Sequence, residues 1–263
     1  MITDRRAVRA PFLHADQPAR GDAGALIRRL EQFDALEGEA RNALERIAGT
    51  ASSVAARTDL IREGEAPEGI FILLDGMACR SKLRRGGPRQ ITAYLIPGDF
   101  CDLDLALRPR MDHTVSTIST CRVAHLDFAS IQQLAVEAGS LVQTMRRATL
   151  VDDAILREWL LNVGARSAIQ RIAHLFCELL TRFRAVGLAQ GDSYELPISQ
   201  LDLADTTGLS TVHVNRTLQD LRRQGLIEFR SRSLMIRNLP RLQALGEFDP
   251  SYLARWGPPS PPD

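Results

Sequence analysis

The sequence predicts an α+β chain in which a compact antiparallel β domain, a long helix and a C-terminal winged helix-turn-helix follow one another. Between Val54 and Phe128, short apolar or alternating runs are punctuated evenly by Gly, Pro and Asp, the pattern of a small antiparallel β domain. From Ile131 to Val163, Gly139 is the only glycine or proline, so a helix can run on. Residues Pro197 to Ile236 read as helix, tight turn, helix and β-hairpin. At 263 residues there is length for two domains, each with its own core.

Residues 1–25, rich in Arg, Pro, Asp and Ala, are expected to form a mobile arm. The apolar positions Leu26, Leu30, Phe33, Leu36, Leu44 and Ile47 predict one or two short helices with a break near Glu37-Gly38. In the β region the runs "GIFILLDG", "QITAYLIPGD", "HTVSTIS" and "CRVAHLD" are candidate strands. Asp75-Gly76 and Gly86-Gly87 supply tight turns.

The long helix, 131–165, places Leu141, Met145, Ala148, Ile155, Trp159 and Asn162 on steps of three and four, with Asp152 interrupting the seam. That pattern fits packing within its own chain and a dimer seam equally well. A second helix is expected from Ser167 to Phe183, with Ile172, Phe176, Leu179 and Leu180 in its buried stripe. A Gly-rich loop, "VGLAQGDSYELP", leads into the last domain (166–240), and 241–263 is expected to be a tail.

Composition narrows the function. Net charge is +1, so any nucleic-acid surface has to be local. No apolar run approaches membrane-spanning length and the N-terminus lacks the apolar core of a secretory signal, which points to the cytoplasm. Cys79, Cys101, Cys121 and Cys177 lie far apart without a C-x-x-C pair, which argues against a zinc or iron–sulfur cage and for a reducing compartment.

Within 197–236, Ser199 is placed to cap a helix through about Thr206, and Gly208 to make the turn. Ser210 caps the second helix, which ends at Gln224 with Gly225 in the terminating position. The apolar Val214, Leu218 and Leu221 face inward, leaving Thr211, Val212, Asn215, Arg216 and Gln219 outward. The N-terminal turns of such a helix meet base edges in the major groove. Arg216 suits guanine O6 and N7, Asn215 suits adenine, and Val212 suits a thymine methyl. Ser210, Thr211 and His213 suit phosphates, which the amides at the helix start also favour. Arg222, Arg223, Arg230 and Arg232 form a basic rim. The expected partner is double-stranded DNA.

With β domain, long helix and winged helix in this order, the chain resembles the Crp/Fnr family of bacterial transcription regulators over residues 25–240. "IREGEAPEGIFILLDGMA", "LIPGDF" and "ISQLDLADTTGLSTVHVNRTLQDLRRQGLIEF" carry the resemblance. It implies a cyclic-nucleotide-binding-like β-roll at 26–130. It also implies a homodimer joined by the long helix (Leu141, Met145, Ala148, Ile155, Trp159), a near-palindromic site, and RNA polymerase as a further partner.

The family's effector pocket falls on Asp99, Cys101, Asp102, Leu103, Asp112, His113, Leu156 and Arg157. Cyclic-AMP-responsive members carry a Gly-Glu pair after "GDF" and later an Arg-Ser or Arg-Ala pair. Here "GDF" is followed by Cys101, Asp102, Leu103 and Asp104, and Asp112-His113 stands at the phosphate-binding pair. A carboxylate facing a phosphate repels it. Leu156-Arg157 aligns with the adenine-contacting Thr-Ser. Cyclic AMP is therefore not the expected effector, and without a cysteine before Cys79 neither is the oxygen-sensing branch's 4Fe–4S centre. The effector is left unidentified. Two alternatives are a redox or haem sensor using Cys101 and His113, and an interaction module that never touches DNA. An enzyme is not expected: nothing orients Cys101, His113 and Asp112 as a catalytic trio.

Overall fold

The computed structural model of the protein describes residues 23–36, 38–87, 89–101 and 109–253. Two short helices, α1 (Gly24–Glu31) and α2 (Gly38–Gly49), bury Leu26, Leu30, Leu44 and Ile47. Seven strands follow: β1 (Ser52–Val54), β2 (Asp59–Ile61), β3 (Gly69–Asp75), β4 (Ala78–Leu83), β5 (Arg89–Leu95), β6 (Thr114–Thr117) and β7 (Cys121–Asp127). They form two antiparallel sheets, ordered β1-β7-β3 and β2-β6-β4-β5. The run Ile70–Leu74 of β3 is apolar at every position because it is enclosed on both faces, and Ile70 and Ile72 are wholly buried.

One continuous helix was expected from 131; the chain instead makes α3 (Phe128–Glu137) and α4 (Gly139–Ala165). Ala138, buried and non-helical (φ −142°, ψ 61°), breaks them apart, so that α3 folds back on β7 while α4 runs on. Asp127 caps α3 by accepting from Ser130 N at 2.7 Å.

The expected dimer residues require correction. Leu141, Met145, Ala148, Ile155 and Trp159 are buried in their own chain, and Trp159 meets the Tyr94 ring edge-on at 5.6 Å. Steps of three and four mark a buried stripe without saying whose core buries it. The apolar side chains that α4 turns to solvent are Leu150, Leu156, Leu160, Leu161 and Val163.

After α5 (Ala168–Ala185), capped reciprocally by Ser167 and Gln170, the expected loop proves to be a hairpin, β8 (Ala189–Gln190) and β9 (Ser193–Glu195). Its strands are too short to register as alternation, yet buried Tyr194 anchors them. α6 (Gln200–Thr207) and α7 (Thr211–Arg223) precede β10 (Ile227–Arg230) and β11 (Ser233–Ile236), and β9 pairs with β11 to give the sheet β10-β11-β9-β8. The expected tail at 241–263 also needs correcting. α8 (Leu239–Gly246) and a 3-10 turn (Pro250–Leu253) pack on α5, so closely that a Cβ on Gly246 would lie 2.6 Å from His174 N. Residues 254–263, with "GPPSPPD", and residues 1–22 lie outside the described residues.

Candidate nucleic-acid interface

Two capped helices and a left-handed glycine make the motif. Ser199 and Asp202 cap each other at the start of α6: Ser199 Oγ accepts from Asp202 N at 3.1 Å, and Asp202 Oδ2 accepts from Ser199 N at 2.9 Å. Gly208 then turns the chain at φ +69°, a conformation that costs a side chain about 1–2 kcal/mol. Ser210 Oγ accepts from His213 N at 3.2 Å and starts α7. Val214, Leu218 and Leu221 are fully buried against the domain, which fixes the outward face by elimination.

That outward face carries Ser210, Thr211, Val212, His213, Arg216 and Gln219, all exposed, Val212 at 71%. An exposed valine beside an exposed arginine at a helix N-terminus suits a groove floor. Asn215 is half-buried and already engaged: its Nδ2 donates to Gln200 Oε1 at 3.2 Å, and its Oδ1 accepts from Gln219 Nε2 at 2.9 Å. The same bond sets the first turn of α6 beside the reading face.

Among the rim arginines, Arg222 Nη2 donates to Phe229 O at 2.9 Å, and Arg223 pairs with Asp220. Arg230 and Arg232 lie exposed at the hairpin. Ser231 (φ +49°) and Arg232 (φ +66°) form its two-residue turn. Asn-Gly is the sequence that turn prefers, so presenting an arginine there costs backbone strain.

The winged domain is docked on the β-roll. Arg57, between β1 and β2, donates from Nη1 and Nη2 to the two carboxylate oxygens of Asp202, each at 2.8 Å. Arg89 of β5 donates to Asp202 at 2.6 Å and to Asp205 at 2.9 Å. Tyr94 OH lies 2.6 Å from Thr206 Oγ1, and Gln90 Nε2 donates to Thr206 O at 3.1 Å. Burial on its own pushes the Asp202 carboxyl up, but hydrogen bonds from Arg57, Ser199 and Arg89 outweigh it and hold the group well below the usual carboxylate range. The sequence motif named neither Arg57 nor Arg89. More than a hundred residues separate each from Asp202, and no local pattern records that.

The expected effector residues are dispersed. Asp99 is buried in ion pairs with Arg182 (2.7 Å) and Arg29 (3.3 Å) while its Oδ2 accepts from Ile96 N. Cys101 is 2% exposed, which suits a small buried hydrophobe. Asp112 Oδ1 lies 2.9 Å from His113 Nδ1. Leu156 and Arg157 point from α4 to solvent, away from the roll's interior. Asp102 and Leu103 lie outside the described residues. A cyclic phosphate does not fit these groups: Asp112 presents a carboxylate where a cation is needed, and the α4 pair turns away.

An ion-pair chain instead joins the roll to the helices. Arg80 of β4 donates to Asp152 of α4 at 3.2 Å and to Phe100 O at 3.2 Å. Asp152 reaches Arg29 at 3.6 Å, and Arg182 continues to Glu178 at 3.3 Å. Asp152, the residue that spoiled the helical seam in the sequence, is the link. Among the described residues, no group of three His, Cys, Asp or Glu is placed to hold a metal ion, and no helix is long and apolar enough to cross a membrane.

Comparison with known proteins agrees with this architecture. A cyclic nucleotide-binding domain model matches residues 52–137, and a Crp-like helix-turn-helix domain model matches 170–245. The chain is 25% identical over 198 residues to the nitrogen fixation regulation protein FixK of Azorhizobium caulinodans, covering 75% of this chain and 79% of that protein. It is 26% identical over 204 residues to the transcriptional activator protein FnrL of Cereibacter sphaeroides, covering 76% and 81%. The structure of FixK2 from Bradyrhizobium japonicum superposes with a TM-score of 0.66 at 27% identity, covering 74% of this chain and 96% of that one. With a cyclic-nucleotide-type roll in front of a capped helix-turn-helix that turns its reading face outward, the chain belongs to the Crp/Fnr family of DNA-binding transcription regulators.

Proposed function

We propose that the protein works as a homodimer in the cytoplasm. In this reading each copy sets α7 into one half of a near-palindromic duplex site, and RNA polymerase is the further partner. The observation that carries it is the split of α7, with Val214, Leu218 and Leu221 buried and Thr211, Val212 and Arg216 in solvent. Arg216 reads a guanine, Val212 touches a thymine methyl, and Asn215 meets adenine once it leaves Gln200 and Gln219. Ser199, Ser210, Thr211, His213, Arg222, Arg223, Arg230 and Arg232 lie along the phosphates.

Dimerisation runs through the outward face of α4. Leu156, Leu160 and Val163 follow at i, i+4 and i+7 and are 51%, 75% and 37% exposed, a stripe a second copy would cover. A signal at the β-roll biases the Arg57/Arg89–Asp202 docking, and so the spacing of the two reading helices.

The test combines native mass spectrometry with selection from a random duplex library. A dimer mass and an enriched two-fold site, with half-sites about 34 Å apart, are expected. A monomer throughout the working concentration range, or no enrichment, would reject the reading.

A further inference from the structure

We propose that the β4–β5 hairpin is a second DNA contact, in which Arg84 and Arg85 engage phosphates flanking the half-site read by α7. This rests on the DNA-binding reading above and adds a surface outside the winged domain.

From Arg80 to Gln90 the chain contains no acid, and its cations divide into two kinds. Lys82 is tied to Glu63 at 3.2 Å and to Asp112 O, and Arg89 is occupied by Asp202 and Asp205. Arg84 and Arg85 are exposed and form no ion pair among the described residues. Their position is fixed. Leu83 pairs with Arg89 as the last rung of the β4–β5 ladder, and Gly87 N donates to Arg84 O at 3.0 Å to close the turn. The two arginines therefore project just past the rung at which Arg89 grips α6.

That helix connects them to the reading face. Asp202, Asp205 and Thr206 face the β-roll, while Gln200, in the first turn, accepts from Asn215 of α7. Asp205 lies on the side of α6 that carries exposed Leu201, away from buried Leu203 and Thr207. The turn thus follows directly on the strand that docks on α6, the helix whose first turn is bonded to α7. Two further points favour a polyanion. Arg57 and Arg89 neutralise the two acids of α6 that would otherwise repel a phosphate chain beside this turn. Leu83, 67% exposed, is a single apolar side chain and no protein-docking patch.

Each phosphate neutralised on a duplex adds about 0.9 to the slope of log affinity against log salt. The test uses full-length Arg84→Ser/Arg85→Ser and two duplexes carrying the selected site, one with long flanks and one trimmed to the site itself. On the long duplex the variant should bind more weakly, with a slope shallower by about two per protomer. On the trimmed duplex it should match the parent, and Arg84→Lys/Arg85→Lys should restore long-duplex binding. A far-ultraviolet spectrum and melting curve equal to the parent's establish folding. An unchanged slope on the long duplex overturns the proposal and leaves the winged-helix reading standing. Unchanged DNA binding with lost response to added RNA polymerase also overturns it, by assigning the hairpin to a protein. A parent that binds neither duplex removes the winged-helix reading, and this proposal with it.

Discussion

Arg57 and Asp202 meet as a two-pronged ion pair, Nη1 to Oδ1 and Nη2 to Oδ2, both at 2.8 Å, and tie the β-roll to the first helix of the winged domain. Arg57 adopts a left-handed backbone (φ +62°) to reach it. Such strain in a non-glycine residue persists where the surroundings over-determine it, here the bond from Arg57 N to Thr117 O as well as the carboxylate.

Replacing Asp202 by Asn should therefore cost more than a surface pair. The carboxyl is 1% exposed, serves both arginines and caps α6, whereas Arg57 is half in water. A loss of about 2–3 kcal/mol is expected, below the 3–5 typical of wholly buried pairs. The folded carboxyl titrates lower than the unfolded one, so its stabilisation is complete above about pH 4 and disappears as pH falls from there. Urea melts from pH 7 to 3 should show the parent losing its advantage over Asp202→Asn below that pH.

His174 predicts a second pH dependence with its own window. Burial foremost, with Arg166 nearby, lowers its pKa to about 4, in a site formed by Gly246 O, Tyr252 and Phe248. The unfolded chain takes up this proton near pH 6.5 and the folded chain only near 4, so stability falls as pH drops between the two, by roughly 2–4 kcal/mol. His174→Gln should flatten melting temperature against pH in that interval. An equal slope in parent and variant would assign the dependence to other groups.

At the reading face, Arg216→Ala should cost about 1–3 kcal/mol and relax discrimination at one base pair. Arg223→Ala, already sharing its charge with Asp220, should weaken binding to all sequences by a similar, smaller amount. Competition binding against a panel of single-base site variants separates the two outcomes.

The wing turn trades stability for contact. Ser231→Asn/Arg232→Gly places residues suited to positive φ at both positions and should stabilise the fold by about 0.5–1 kcal/mol. The same change removes a cation from the rim, so DNA affinity should fall and its salt slope become shallower by about one. Melting curves and salt titrations read the two effects independently.

The two sides of α4 should respond oppositely to charge. Leu160→Glu, on the exposed stripe, should leave the monomer folded and dissociate the dimer. Leu141→Glu, fully buried in the chain's own core, should unfold it. Sedimentation velocity with circular dichroism distinguishes these. Loss of secondary structure in Leu160→Glu would place that stripe in the monomer core.

The amino-acid sequence by itself determined the local frame of the helix-turn-helix, where near neighbours along the chain suffice, but neither the Ala138 break nor the β8–β9 hairpin. The Ser199 and Ser210 caps, the Gly208 turn and the 214–218–221 stripe are set by helical spacing and backbone sterics, and so was the outward display of Arg216. Tertiary structure alone decided which surface each stripe met. Leu141 and Trp159 went to the monomer core because the roll and α5 were there to receive them, and Leu156 and Leu160 were left outside. It likewise paired Asp152 with Arg80 and Arg29, and Asp202 with Arg57 and Arg89. A charged side chain is bound by whatever group the fold carries within a few ångströms, and distance along the chain does not encode that.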